Sequence, residues 1–305
     1  MKFGVVGIGK WGQKVTKEYI ALMNDGLLDS VVICDADNSK LKLFPDAESC
    51  NKVDELIGKV DAVHICTPNT SHYEIASRFL RSNTHVLIEK PMAENEDEAS
   101  KLVEMALSKN LVLQVGHIFR FANIVRAMRD LYLQNKFGEV SCLNLAWTHM
   151  LQPIPNSDVI YDLLPHPMDI INFITSEWPT EFVGVGRSVR KKGTIEMCYL
   201  QAIYESGKVA NVYLSWVSHV RRRYIEIVGS KSSLVGDCAK QEAVIYDGTQ
   251  NETRVDVEPN NTIREEILNF ANTIKNRENQ PNSGIIGMQS IQLIKKAQFA
   301  VKNRS

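Results

Sequence analysis

Two short clusters carry side chains able to move a proton and stabilise a developing charge on oxygen. Glu89-Lys90-Pro91 follows the apolar run Val86-Leu87-Ile88. An ammonium at such a strand end can hold an alcohol oxygen or polarise a carbonyl, and when desolvated it can also exchange protons; the same Lys90 also reads as a surface amine beside a proline turn. Asp162, His166 and Asp169 are spaced i, i+4, i+7, which places them on one side of a helix. A carboxylate fixes the tautomer of a neighbouring imidazole and stabilises its cation, as a general base near neutral pH requires. A capping Asp with a structural His fits the same spacing. A metal set fits it poorly, with one His and two Asp. Pro165 and Pro167 interrupt the helix, so Asp162 is expected on the turn before it. A third cluster, Gly116-His117-Ile118-Phe119-Arg120-Phe121, ends another apolar run.

The elements that position these groups begin at the N-terminus. Lys2 to Val6 reads as a strand, Gly7-Ile8-Gly9-Lys10-Trp11-Gly12 as a G-x-G-x-x-G turn, and Val15 to Ile20 as the helix it feeds. Glycine permits the sharp bend, the approach of a pyrophosphate to the backbone and tight helix packing, while the helix N-terminus offers N–H groups. A second strand, Ser30 to Cys34, ends in Asp35, 23 residues past Gly12, where a carboxylate accepts from adenosine ribose hydroxyls. No Arg stands beside Asp35 to receive a 2′-phosphate, which favours NAD over NADP.

Further strands at Val60–Cys66, Val86–Ile88 and Val112–Val115 alternate with helices at Tyr73–Leu80 and Asn95–Ser108, the pattern of a doubly wound parallel sheet. Past His117 a helix over Ile124–Asn135 precedes long strands at Val140–Trp147, Phe182–Val189, Met197–Tyr204, Ala210–Trp216 and Tyr224–Val228. These imply a mostly antiparallel sheet with one buried face. Its other face is assigned Asn144, Thr148, Tyr213 and Ser215 and suits either a subunit interface or solvent. A capping box at Thr262 and Glu265 opens the first of two closing amphipathic helices. The expected fold is an α/β chain: a Rossmann domain over 1–118 and an α+β domain with a large open-faced sheet over 119–305.

The 305 residues exceed the usual size of one core, and the net charge of -1 argues against nucleic acid as a partner. No basic leader and no segment of bilayer length is present, so a cytoplasmic protein is expected. Six scattered cysteines without a C-x-x-C pair predict neither disulfides nor a metal site.

The Gly-rich turn, Thr67-Pro68-Asn69 with His72, Glu89-Lys90-Pro91 and Asp162…His166…Asp169 occur in the order typical of the Gfo/Idh/MocA oxidoreductases, which the chain resembles over nearly its whole length. The resemblance implies NAD held by Gly7, Gly9, Lys10, Trp11, Gly12, Asp35, Thr67, Pro68, Asn69, His72, Glu89 and Lys90. It implies Lys90 beside nicotinamide and substrate, with Pro91 setting the backbone near the ring, and His166 as acid/base oriented by Asp162. It also implies a homodimer or homotetramer through the open sheet. Gly9-Lys10-Trp11-Gly12, Val115 to Phe121 and Asp162 to Asp169 are similar to the branch containing UDP-N-acetylglucosamine 3-dehydrogenases, with substrate contacts expected at His117, Arg120 and Asp169. Phe119 and Ala122-Asn123 depart from that branch, so the resemblance does not fix the donor sugar. Arg120 and Arg221-Arg222-Arg223 are candidates for a diphosphate, the triple Arg reading more readily as a solvated charge run at a strand end. The implied activity is NAD-dependent dehydrogenation of a secondary alcohol on a nucleotide-linked sugar such as a UDP-N-acetylhexosamine, with a free sugar or inositol as the alternative substrate; a non-catalytic dinucleotide sensor is the reading from another class.

Overall fold

The computed structural model describes the chain except residues 156, 249–251, 278–279 and 303–305. It divides into two compact units, Met1–Ile118 with Thr262–Ile291, and Phe119–Asn261 with Gln292–Ser305. The second domain is therefore not one stretch from 119 to 305. The segment after Asn261 returns to the first unit because Ile267, Phe270 and Ala271 are buried in that unit's core, with the Phe270 ring 6.2 Å from Phe3.

In the first unit β1 (Lys2–Val6), α1 (Lys10–Asn24), β2 (Ser30–Cys34), α2 (Asn38–Leu41), β3 (Glu48–Cys50), β4 (Ala62–Ile65), α3 (His72–Arg81), β5 (His85–Ile88), α4 (Glu96–Ser108) and β6 (Leu113–Val115) follow in order. The six strands run in the order β3-β2-β1-β4-β5-β6, all parallel. The order reverses between β1 and β4, and ligands of such sheets bind at the carboxyl ends flanking that reversal. Continuous burial of Phe3 to Val6 and Val31 to Cys34 fits strands covered on both faces. Sequence reading missed α2 and β3, which are short and carry no periodicity.

In the second unit α5 (Asn123–Leu133), β7 (Val140–Met150), α6 (Val159–Leu163), α7 (Pro165–Thr175), β8 (Glu181–Arg187), β9 (Met197–Ile203), β10 (Val209–Ser215), β11 (Val217–Gly229), β12 (Ser233–Asp237), β13 (Glu242–Tyr246) and β14 (Glu252–Arg254) form one sheet and its helical cover. The strand order is β14-β13-β12-β11-β7-β10-β9-β8, antiparallel apart from the parallel pair β7 and β10. Leu143, Leu145, Trp147, Val212 and Leu214 share one core with α5 to α7 residues such as Met128, Ile160 and Ile171. Full burial of side chains of this size contributes about 1.5–3 kcal/mol each. The opposite face carries Asn144, Gln201, Asn211, Tyr213 and Tyr199, the two tyrosines stacked at 4.5 Å. Thr148 and Ser215 are not on that open face. Both are fully buried, because Thr148 Oγ1 donates to Val220 O and Ser215 Oγ accepts from Val217 N where β11 begins.

Candidate active site

The candidate residues fall in two sets, one in each unit. In the first, the Gly-rich turn is pinned between two strand ends: Gly7 N donates to Cys34 O and Cys66 N to Val6 O. Gly7 has φ +93°, and a Cβ there would lie 2.8 Å from Cys66 backbone. A Cβ on Gly12 would meet Gly7 O at 1.9 Å, so α1 packs on the turn only with glycine. A Cβ on Gly9 would meet nothing within 4 Å. That open space lies at the N-terminus of α1, where no side chain caps the helix and no acidic residue stands in the first turn. The cradle therefore fits a pyrophosphate. Asp35 follows β2 and its Oδ2 accepts from Ile8 N at 2.7 Å, which joins this carboxylate to the turn.

Lys90 is half-buried after β5, and the Lys90–Pro91 peptide is cis. His72 is buried, and its two ring nitrogens lie 2.9 Å from Pro91 O and Thr67 O. It thus ties the Thr67-Pro68-Asn69 loop to the Lys90-Pro91 segment. Burial lowers its pKa, with the two carbonyls pulling the other way. Glu89 is also buried, 8% exposed. Its Oε1 accepts from Trp11 Nε1 and faces His64 Nε2 at 3.2 Å, which joins the Gly-rich turn to the end of β5. His64 and its spacing to Cys66 were missed in the sequence; neighbouring parallel strands β4 and β5 bring His64, Cys66 and Glu89 within 4.8 Å. This is the group with metal-ligand spacing among the described residues. Burial, then Glu89 and Glu266, push the Cys66 thiol well up and keep it protonated, and Glu89 is engaged by two donors, so the set reads as a hydrogen-bonded cluster. His117 is buried after β6.

In the second unit the helix breaks at Leu164, because Pro165 and Pro167 lack the N–H groups that would continue the ladder. Asp162 lies in α6 and His166 in the first turn of α7, both half-buried. Asp162 Oδ2 accepts from Trp216 Nε1 at 2.9 Å, which anchors the carboxylate. The His166 ring stacks at 6.3 Å on Trp147 and meets the edge of Phe119 at 5.4 Å. Trp147, Trp216 and Phe119 thus surround the Asp162 and His166 side chains; nothing in the sequence marked this role for Trp147 or Trp216. Arg223 is half-buried with its guanidinium 5.5 Å over the Trp147 ring, and it donates to Thr148 O. Burial, with Arg221 adding, lowers it to about 10 against the pull of Asp162, so it is charged at neutral pH.

Arg120 and Asp169, expected as substrate contacts, are both buried. Arg120 is 5% and Asp169 1% exposed; Arg120 Nε donates to Asp169 Oδ1 and a terminal nitrogen to Asn172 Oδ1, each at 2.7 Å, with the guanidinium over Phe173. The pair is a buried brace between the segment before α5 and α7. Arg221 and Arg222 are exposed, as a solvated run.

The model of the oxidoreductase family with an NAD-binding Rossmann fold matches residues 1–117, and that of the GFO/IDH/MocA C-terminal domain matches residues 125–235. The chain is similar to UDP-N-acetylglucosamine 3-dehydrogenase from Acidithiobacillus ferrooxidans, with 28% identity over 290 residues, 90% of this chain and 88% of the relative. The solved structure of that enzyme superposes with TM-score 0.89 at 26% identity over 99% of this chain and 98% of the other. An inositol dehydrogenase homologue from Azotobacter vinelandii, complexed with NADH and myo-inositol, shares the fold with TM-score 0.85 at 16% identity, over 100% and 96% of the two chains.

Proposed function

Because the chain belongs to the GFO/IDH/MocA family of NAD-binding oxidoreductases, we propose that it interconverts a secondary alcohol and a ketone on a nucleotide-linked sugar such as a UDP-N-acetylhexosamine. The observation that carries the reaction type is His166 one helical turn beyond Asp162, whose carboxylate is itself fixed by Trp216. The nucleotide sugar is supported by the 28% identity to UDP-N-acetylglucosamine 3-dehydrogenase across 90% of the chain.

Bound NAD supplies the hydride acceptor. His166 takes the hydroxyl proton on a ring nitrogen, and Asp162 stabilises the resulting imidazolium. Lys90, at the end of β5, is the ammonium that steadies charge on the substrate oxygen as the carbonyl forms. His117 contributes to substrate binding, and Arg223, rather than Arg120, is the cation available to a diphosphate in the second unit. The open sheet face, with Tyr199 and Val185 each 54% exposed, serves as the contact of a homodimer or homotetramer. Six unpaired thiols suit the reducing cytoplasm.

The test is reduction of NAD by a panel of UDP-sugars, free hexoses and inositols. Turnover of a UDP-sugar, lost in Lys90→Ala and His166→Ala with NAD affinity retained, supports the proposal. Withdrawal of Arg120 into its pair with Asp169 leaves one cation fewer for a diphosphate and favours the free sugar or inositol as second reading; turnover of those alone would select it. NAD binding without turnover of any member would select the sensor.

A further inference from the structure

The carboxylate of Asp35 is fully engaged before any ribose arrives. Its Oδ2 accepts from Ile8 N at 2.7 Å and its Oδ1 from Asp37 N at 2.9 Å. Lys40 Nζ then lies across both oxygens, at 3.3 and 3.4 Å. A carboxylate offers about four lone-pair positions, so the two backbone bonds and the two long contacts to Lys40 use them all. The backbone bonds belong to the turn and to the start of α2 and hold the carboxylate still. Asn51 Nδ2 adds a bond to Asp35 O at 3.3 Å. Lys40 differs from the two backbone donors: it is a flexible side chain, 38% exposed against 10% for Asp35, and its contacts to the carboxylate are longer than theirs. It occupies the positions that the adenosine ribose hydroxyls need.

We infer that Lys40 is a displaceable counter-ion that lets this site take a 2′-phosphate as well as a 2′-hydroxyl, and so sets the balance between NADP and NAD. With NAD, the ribose hydroxyls replace the two long contacts and Lys40 is released to solvent. With NADP, the 2′-phosphate would meet the negative charge of Asp35, and of Asp37 in the same turn; an ammonium already seated on Asp35 offsets that repulsion and has donors left for phosphate oxygens. The absence of an Arg beside Asp35 does not reveal this, because Lys40 reaches back from α2 across five positions.

Calorimetric titration of the full chain with ADP-ribose and with 2′-phospho-ADP-ribose reads the 2′ position without nicotinamide or turnover. The native chain is expected to bind both, the phosphorylated ligand within about tenfold of the other, a difference of about 1.4 kcal/mol. Lys40→Ala should weaken the phosphorylated ligand by at least about tenfold and leave ADP-ribose unchanged or tighter, since its competitor for Asp35 is gone. Lys40→Arg should restore phosphate binding. Opposite responses of the two ligands are the signature, because a residue that merely braces the loop would weaken both alike. Equal weakening of both, an unchanged affinity for the phosphorylated ligand in Lys40→Ala, or its failure to bind the native chain would overturn the inference. Binding of ADP-ribose alone refutes only Lys40's role, whereas binding of neither also removes the dinucleotide site.

Discussion

The indole N–H of Trp11 donates to Glu89, joining the Gly-rich turn to the strand end that carries Lys90. Glu89 is boxed in: a Cβ on Gly116 would come within 2.7 Å of its Oε2, and His64 faces its Oε1. Trp11→Phe keeps the apolar bulk and removes one charge-assisted bond from a buried carboxylate. The expected loss is about 1.5–3 kcal/mol of stability, read from the urea midpoint at unchanged slope. NAD affinity should fall with it, since the turn loses its anchor.

Gly9 and Gly12 separate binding from folding. Gly9→Ala places a methyl group in open space. Its melting temperature should stay native while NAD affinity drops about 10- to 100-fold, because the methyl fills the approach of the pyrophosphate. Gly12→Ala puts a Cβ 1.9 Å from Gly7 O and must displace α1. It should lower both melting temperature and affinity. Equal effects of the two variants on melting temperature would refute this division.

Arg120→Ala is expected to act on stability. It leaves Asp169, 1% exposed, and Asn172 without the guanidinium that binds them. Removing one member of a buried pair costs about 3–5 kcal/mol. Replacing both as Arg120→Met with Asp169→Leu should recover much of that, in chemical denaturation of the single and double variants. A stable Arg120→Ala protein with impaired substrate KM would instead restore Arg120 to substrate binding.

The contrast between Arg120 and Asp35 explains what could be read from the sequence. Asp35 was legible because its position is fixed by local order: strand, glycine turn, helix, strand. The long strands were legible from alternation, as at Leu143, Leu145 and Trp147. Arg120 was not, because its partner lies 49 residues away and only packing of the segment before α5 on α7 brings them together. His64 with Glu89, and Trp216 with Asp162, depend likewise on strand register and tertiary packing, to which spacing along the chain is blind. The return of Thr262–Ile291 to the first unit is of the same kind: its apolar stripe announced a packing helix without saying which core it joins.

Two histidines should make the fold sensitive to mild acid. His85 Nδ1 accepts from Val112 N at 2.9 Å, a bond that only the unprotonated nitrogen can make. Burial, then Arg277, hold its pKa below the ordinary value, with Asp61 opposing, and burial does the same to His72. A folded-state pKa below the unfolded value of about 6.5 means that the unfolded chain takes up protons first as pH falls. The stability that these neutral rings contribute is therefore fully present above about pH 6.5 and declines as pH drops from there toward the folded-state values. Each proton contributes a slope of at most about 1.4 kcal/mol per pH unit. His85→Asn keeps an acceptor that cannot titrate, so its urea midpoint should decline less steeply than the native one between pH 7 and 5.5. Parallel declines of the two proteins would show that His85 is not a source of the acid sensitivity.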